Sequence, residues 1–137
     1  MFDELKDKNR NGEYPAFAYV MKITTRGGYL WTKIGMTTKT PDERAKGIKK
    51  DGVKGIKYSD VECKWFIPCK SKECAEKMEN VFRSILTLID PHSFAPHDRL
   101  LSYRDEYVTY FQMHPDVNRW MKEFGVASWV DEWNNRH

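Results

Sequence analysis

Two runs rich in β-branched and aromatic residues, 16–25 (AFAYVMKITT) and 29–37 (YLWTKIGMT), lie on either side of the tripeptide Arg26-Gly27-Gly28. Residues of these types favour strands, and a short glycine-containing connection between two such runs favours a hairpin. We therefore predict an antiparallel hairpin in the first third of the chain. Because side chains alternate along a strand, the length of its connection decides which side chains share a face of the sheet.

Tyr19 and Lys33 are the two side chains for which this choice matters most. They share a face only if the connection has an odd number of residues, as Arg26-Gly27-Gly28 would give. Tyr19 would then lie opposite Gly35 and diagonal to Lys33, and Gly35 would leave room for another group to approach the sheet. A two-residue Gly27-Gly28 turn would separate them. In the simpler interpretation Tyr19 is a core aromatic residue and Lys33 faces solvent.

The remaining pattern predicts one more strand and several helices. Thr40-Pro41-Asp42-Glu43 has the form of a capping box with proline at the first helical position, and Asp51-Gly52 would end that helix. Residues 60–68 predict a third strand, and residues 71–89 predict the longest helix because apolar residues recur there every three or four positions. Shorter helices are predicted at 105–113, 115–124 and 127–134.

These elements indicate the class α+β, with a small central antiparallel sheet of three strands flanked by helices and with extra helices at the C-terminal end. At 137 residues the chain is long enough for one core, so residues 1–137 are predicted to form a single domain.

Several kinds of protein are disfavoured by the sequence. No run approaches the roughly 18 apolar residues of a membrane helix, and the first residues are too charged for a signal peptide, so we expect a cytoplasmic protein with no membrane partner. Cys63, Cys69 and Cys74 are odd in number, and their spacing fits no zinc pattern even with His92 and His97. We expect buried free thiols.

Positive charge is concentrated in one stretch of the chain. Residues 45–72 contain eight lysines and three acidic residues, a local charge of +5 in a chain whose net charge is +3. Such a stretch is typical of a protein that binds a polyanion, most simply a phosphate backbone, although a solvated lysine-rich loop explains it equally well.

Arg44 and Glu79 are charged residues in places that normally disfavour them. Arg44 lies in the first turn of a predicted helix, where the macrodipole opposes a cation, and it shares a face with Ile48. Glu79 lies at the border of the apolar stripe of helix 71–89, where a half-buried carboxylate needs a cation or a metal ion. A salt bridge between Arg44 and Glu79, joining the two helices, is one explanation for both.

The order of these residues resembles the GIY-YIG nuclease superfamily. The segments Phe17-Ala18-Tyr19-Val20 and Lys33-Ile34-Gly35-Met36-Thr37, followed by Arg44 and Glu79, are similar to the phage and mobile-element branch in which the second motif reads KIG. The resemblance covers residues 16–111 as a nuclease core and leaves 112–137 as a helical extension.

Two positions depart from the family pattern. Phe17-Ala18 replaces the Gly-Ile of the first motif, and Phe82 stands where a histidine is expected three residues after the helix glutamate.

The resemblance implies a divalent-metal-dependent DNA endonuclease of the homing or mobile-element type that nicks one strand per active site, as a monomer or weak dimer. Glu79 would hold one Mg²⁺ or Mn²⁺, and Arg44 would donate to phosphoryl oxygens. Tyr19 would act as general base or in a relay, while Lys33 would lower the Tyr19 pKa or orient the water directly. The lysines expected to contact flanking phosphates are Lys46, Lys49, Lys50, Lys54 and Lys57.

Two questions stay open at this point. The same scaffold with altered motifs is also consistent with a catalytically inactive nucleic-acid-binding module. Base-specific contacts would have to come from the loop 90–98 or from the C-terminal helices with Trp120, Trp129 and Trp133, but we predict that these tryptophans belong to the core or cover it.

Overall fold

The computed structural model describes residues 2–89 and 101–130. Its helices and strands follow one another in this order: α1 Phe2–Arg10, β1 Ala16–Thr24, β2 Leu30–Thr37, α2 Pro41–Asp51, β3 Asp60–Cys69, α3 Lys72–Ile89, β4 Leu101–Ser102, α4 Glu106–Met113 and α5 Pro115–Phe124. Residues 127–130 are also helical. The prediction of an α+β fold built on three antiparallel strands is confirmed. Helix α1 and the two-residue strand β4 have no counterpart in the prediction.

The strand order in the sheet is β3-β1-β2-β4, with β1 paired to β2 and β3 along most of its length. In the hairpin, the Thr25 amide donates to the Tyr29 carbonyl at 2.9 Å, which leaves Arg26-Gly27-Gly28 as the connection. The resulting register places Tyr19 opposite Gly35. Tyr19 and Lys33 therefore share a face, as the odd-numbered connection predicts.

The two faces of the sheet pack against different helices. Alternate residues of β1, such as Ala18 and Val20, pack in a core formed with α3, α4 and α5. The residues between them, such as Phe17 and Tyr19, pack in a second core with Leu5 of α1 and with α2. Helices α2 and α3 consequently lie on opposite faces of the sheet.

Local chemistry sets both ends of α2 as predicted. The Thr40 hydroxyl accepts a hydrogen bond from the Glu43 amide at 3.3 Å, and Pro41 is the first helical residue. At the other end, Gly52 has a φ of +58°, and a Cβ there would lie 2.5 Å from the Ile56 carbonyl carbon. Glycine is therefore needed where the chain leaves the helix.

The three cysteines, which all lie in the described ranges, form no disulfide, and Cys69 is buried. Burial raises the pKa of the Cys63 and Cys69 thiols to about 12, so both are poor metal ligands at neutral pH. Within residues 2–89 and 101–130, no helix combines the length and hydropathy that crossing a bilayer demands. The predictions for His92, His97, Trp133 and the loop 90–98 lie outside the described residues.

Candidate active site at the edge of strand β2

Tyr19 and Arg44 are joined by a direct contact beneath the surface. Tyr19 is only 1% exposed, and its hydroxyl accepts a hydrogen bond from Arg44 Nε at 3.4 Å. The Tyr19 ring lies across Gly35, where a Cβ would come within 2.6 Å of the Tyr19 Cζ. The expectation that Gly35 leaves room for an outside group is therefore corrected, because the ring of Tyr19 occupies that space.

Above this contact, Lys33 and Arg44 line a cavity of about 250 Å³. Arg44 reaches it because the first turn of α2 crosses the face of the sheet that carries Tyr19 and Lys33. The cavity therefore presents an amine and a guanidinium. Its other lining residues are Ile48, Asp51, Gly52, Val53 and Tyr58.

Glu79 approaches the site from the other face of the sheet. Its side chain is 18% exposed and forms an ion pair with Arg83, with 2.8 Å between Oε1 and Nη2, and the same Nη2 donates a hydrogen bond to the Ile34 carbonyl at 3.0 Å. In the described residues, β4 pairs with Trp31 and Thr32 of β2, and further along the same edge the Ile34 carbonyl accepts from Arg83 of α3. Arg83 thus connects Glu79 and α3 to the edge of β2.

The predicted alternative of an Arg44–Glu79 salt bridge is wrong. Glu79 pairs with Arg83 on its own helix, whereas Arg44 bonds to Tyr19. The physical reason is that the sheet separates α2 from α3, so these helices do not pack on each other.

The pKa of Tyr19 moves in the direction opposite to the one expected for a base. Burial raises the pKa of Tyr19, and its hydrogen bond and charge interaction with Arg44 offset part of this effect, while the charge on Glu79 raises it further. Arg44, and not Lys33, is thus the group that acts to lower the Tyr19 pKa. Since an ordinary phenol has a pKa of about 10, this hydroxyl stays protonated at neutral pH and serves as a donor.

The pKa of Lys33 moves in the direction that favours a general base. Burial lowers the pKa of Lys33, the positive charges of Arg44 and Arg83 lower it further, and the charge on Glu79 opposes them. A lowered pKa increases the fraction of the amine that can accept a proton, whereas a raised pKa keeps the Tyr19 hydroxyl protonated. Among the hairpin side chains, Lys33 is therefore the stronger candidate for a general base.

Arg83 is a site residue that the sequence did not point out. It joins Glu79 to the edge of β2, and its charge acts on Lys33. Within the described part of the chain, its buried Nε has no hydrogen-bond partner. Its position four residues after Glu79 on a helix is the pattern that would have indicated an ion pair between them.

The donor set at the site restricts the kind of metal ion that fits. Among residues 2–89 and 101–130, no three His, Cys, Asp or Glu side chains lie close enough together to hold a metal ion. The carboxylate of Glu79, with Oε1 held by Arg83, is the acidic ligand that α3 brings to this edge. One carboxylate fits Mg²⁺, which commonly keeps several waters and shares substrate phosphates.

The other predicted DNA-contacting residues are placed as follows. Lys49, Lys50, Lys54 and Lys57 are exposed, whereas Lys46 forms an ion pair with Asp42 at 3.2 Å.

Trp120 stacks on Phe124 at 5.2 Å, and Trp129 packs against Phe66 at 5.1 Å between ring centroids. Both tryptophans cover the core, as predicted.

Comparison of this chain with protein-family models, with curated proteins and with solved structures finds no match.

Proposed function

We propose that this chain is a divalent-metal-dependent DNA endonuclease of the GIY-YIG type, from the homing or mobile-element branch, that hydrolyses phosphodiester bonds. The observation that carries the proposal is the convergence of three side chains: Arg44 bonds to the Tyr19 hydroxyl and lines one cavity with Lys33. The charge on Glu79 acts on the pKa values of both Tyr19 and Lys33. The sequence motifs that carry the family resemblance supply these same four residues.

Each side chain has a role that suits its environment. The amine of Lys33 takes the proton of the attacking water, and the protonated Tyr19 hydroxyl, bonded to Arg44, orients the groups around it. Arg44 donates to the non-bridging phosphoryl oxygens as their charge increases in the transition state. Glu79 would hold one Mg²⁺ or Mn²⁺, which would supply positive charge to neutralise the phosphate and stabilise the leaving oxygen.

Arg83 acts through its neighbours and is a positioning residue. By pairing with Glu79 and donating to the Ile34 carbonyl, it fixes the carboxylate at the edge of β2. Its charge also favours the neutral amine of Lys33.

The proposed partner is DNA, bound through the exposed lysines that follow Arg44 on α2 and in the next loop. Contacts of this kind are salt-dependent and largely independent of sequence. One centre per chain cuts one strand, so a monomer nicks duplex DNA, and cleavage of both strands needs a weak dimer or two events. A cytoplasmic location stays a prediction.

Supercoiled plasmid is the direct test of this proposal. With Mg²⁺ or Mn²⁺ we expect conversion to nicked circles, and EDTA should stop it because the reaction depends on the ion held by Glu79. Plasmid that is bound but never cut would instead favour the second candidate, an inactive DNA-binding module, which Phe82 in place of a histidine and the raised pKa of Tyr19 also favour.

The pH dependence of nicking tests the role of Lys33. The nicking rate should rise with pH as the amine loses its proton. In Arg83→Met this rise should occur at higher pH, because removing the nearby positive charge raises the Lys33 pKa. Initial nicking rates across a pH series provide the measurement. Arg119→Met is the matched control, since Arg119 is a surface residue paired with Asp116 on α5. If the pH profile of nicking is the same in Arg83→Met as in the unmodified protein, the assignment of Lys33 as the base is wrong.

A further inference from the structure

Residues 53–56 (VKGI) form a tight reverse turn beside the cavity, here called the 53–56 turn. The Val53 amide donates to the Ile56 carbonyl, and the Ile56 amide donates to the Val53 carbonyl, both at 3.0 Å. Lys54 and Gly55 have φ angles of +51° and +79°, the combination found in type I′ turns. Lys54 thus adopts a left-handed conformation that is unfavourable for a non-glycine residue.

A close backbone contact with Gly52 fixes the orientation of this turn. The Ile56 carbonyl lies against the backbone of Gly52, so closely that no side chain fits at that position. Gly52 also ends α2, the helix that carries Arg44. The turn is therefore a rigid projection whose direction relative to the cavity is set by the helix.

The side chains that the turn presents are apolar at two positions and cationic around them. Val53 and Ile56 are 43% and 57% exposed, while Lys54 and Lys57 are exposed beside them. Val53 also lines the cavity that contains Lys33 and Arg44. Isolated apolar residues are common on protein surfaces, but a strained turn that holds two of them among lysines fits a partner that is both anionic and apolar.

We propose that the 53–56 turn inserts Ile56 into the minor groove of duplex DNA as a wedge between stacked base pairs. This inference rests on the proposed function and deepens it. Isoleucine is among the side chains that act as such wedges, which unstack one base step and kink the duplex, while the lysines contact the flanking phosphates. Val53 belongs both to the turn and to the lining of the cavity that contains Arg44. In this proposal the kink therefore forms next to Arg44 and bends the DNA strand that is cut towards Arg44.

The test compares two short duplexes of equal length and charge, one fully paired and one with a central mismatch, bound in the presence of EDTA to prevent cleavage. A mismatch lowers the cost of unstacking, so the unmodified protein should bind the mismatched duplex about tenfold more tightly. Ile56→Ser should reduce this preference to less than about twofold, since serine cannot fill the opened step. Fluorescence anisotropy gives both affinities.

Two control variants separate wedging from charge and from general surface effects. Lys57→Gln should weaken binding to both duplexes equally and lower the salt slope by about one, because it removes one phosphate contact. Leu88→Ser, at an 82% exposed position on α3, should leave the preference unchanged.

A protein that nicks plasmid but shows no mismatch preference, or keeps it in Ile56→Ser, would overturn the wedge and leave the nuclease proposal standing. A preference that depends on Ile56 in a protein that never nicks would support the wedge and overturn the nuclease. Failure to bind either duplex would overturn both.

Discussion

Glu79→Gln is expected to abolish plasmid nicking, with a rate at least about a thousandfold below that of the unmodified protein. The amide keeps the shape of the side chain but removes the negative charge that holds the ion, and it releases Arg83, whose partner at 2.8 Å is the carboxylate. Binding to DNA should change little, because the phosphate contacts come from α2 and the following loop. Nicking time courses and a gel-shift titration measure the two effects.

Glu76→Gln is the matched control for this change. Glu76 lies on the same helix but is exposed, so its loss should leave nicking unchanged. If Glu79→Gln retained nicking within about tenfold of the unmodified protein, the ion would have to be held elsewhere and the assignment of Glu79 would be wrong.

Gly35→Ala is expected to damage both the fold and the site. The new methyl group would meet the Tyr19 ring, and Tyr19 is buried too completely to move aside without disturbing the second core. We expect a loss of about 2 to 3 kcal/mol in the free energy of unfolding, the range of an overpacked core, together with a large loss of nicking as the Tyr19–Arg44 contact is displaced. Urea denaturation followed by circular dichroism measures the first effect.

Two further variants test whether the contact with Tyr19 causes the destabilisation expected for Gly35→Ala. Gly47→Ala adds the same methyl group in the middle of α2, where nothing lies within 4 Å, and it should stabilise the protein by about 0.5 to 1 kcal/mol through helix propensity. Combining Gly35→Ala with Tyr19→Phe, which removes the nearest atom, should destabilise less than the sum of the two single changes. Strict additivity would show that the clash with Tyr19 is not the cause.

Local sequence chemistry was sufficient for much of the framework. The glycine-containing connection after β1 set the register of the hairpin and so placed Tyr19 on the face of Lys33. Thr40 and Pro41 set the start of α2 and thereby the position of Arg44 in its first turn. These features depend on neighbouring residues alone, which is why they were predictable.

The pKa values were not predictable in this way. Lys33 was expected to lower the pKa of Tyr19. In the structure, burial is the largest effect on both groups, and it raises the pKa of Tyr19 and lowers the pKa of Lys33. Burial depends on everything that packs around a side chain, including residues distant in sequence.

The sequence by itself determined strands β1, β2 and β3 and helices α2 to α5, and it reduced the hairpin to two possible connections, of which the structure has the three-residue one. Only the tertiary structure decided that α2 and α3 cover opposite faces, that Glu79 pairs with Arg83, and that Arg83 joins α3 to the edge of β2. The physical reason is that an amphipathic helix carries a pattern that specifies which of its sides is buried, while either face of a sheet can receive it, so the choice depends on contacts between distant segments.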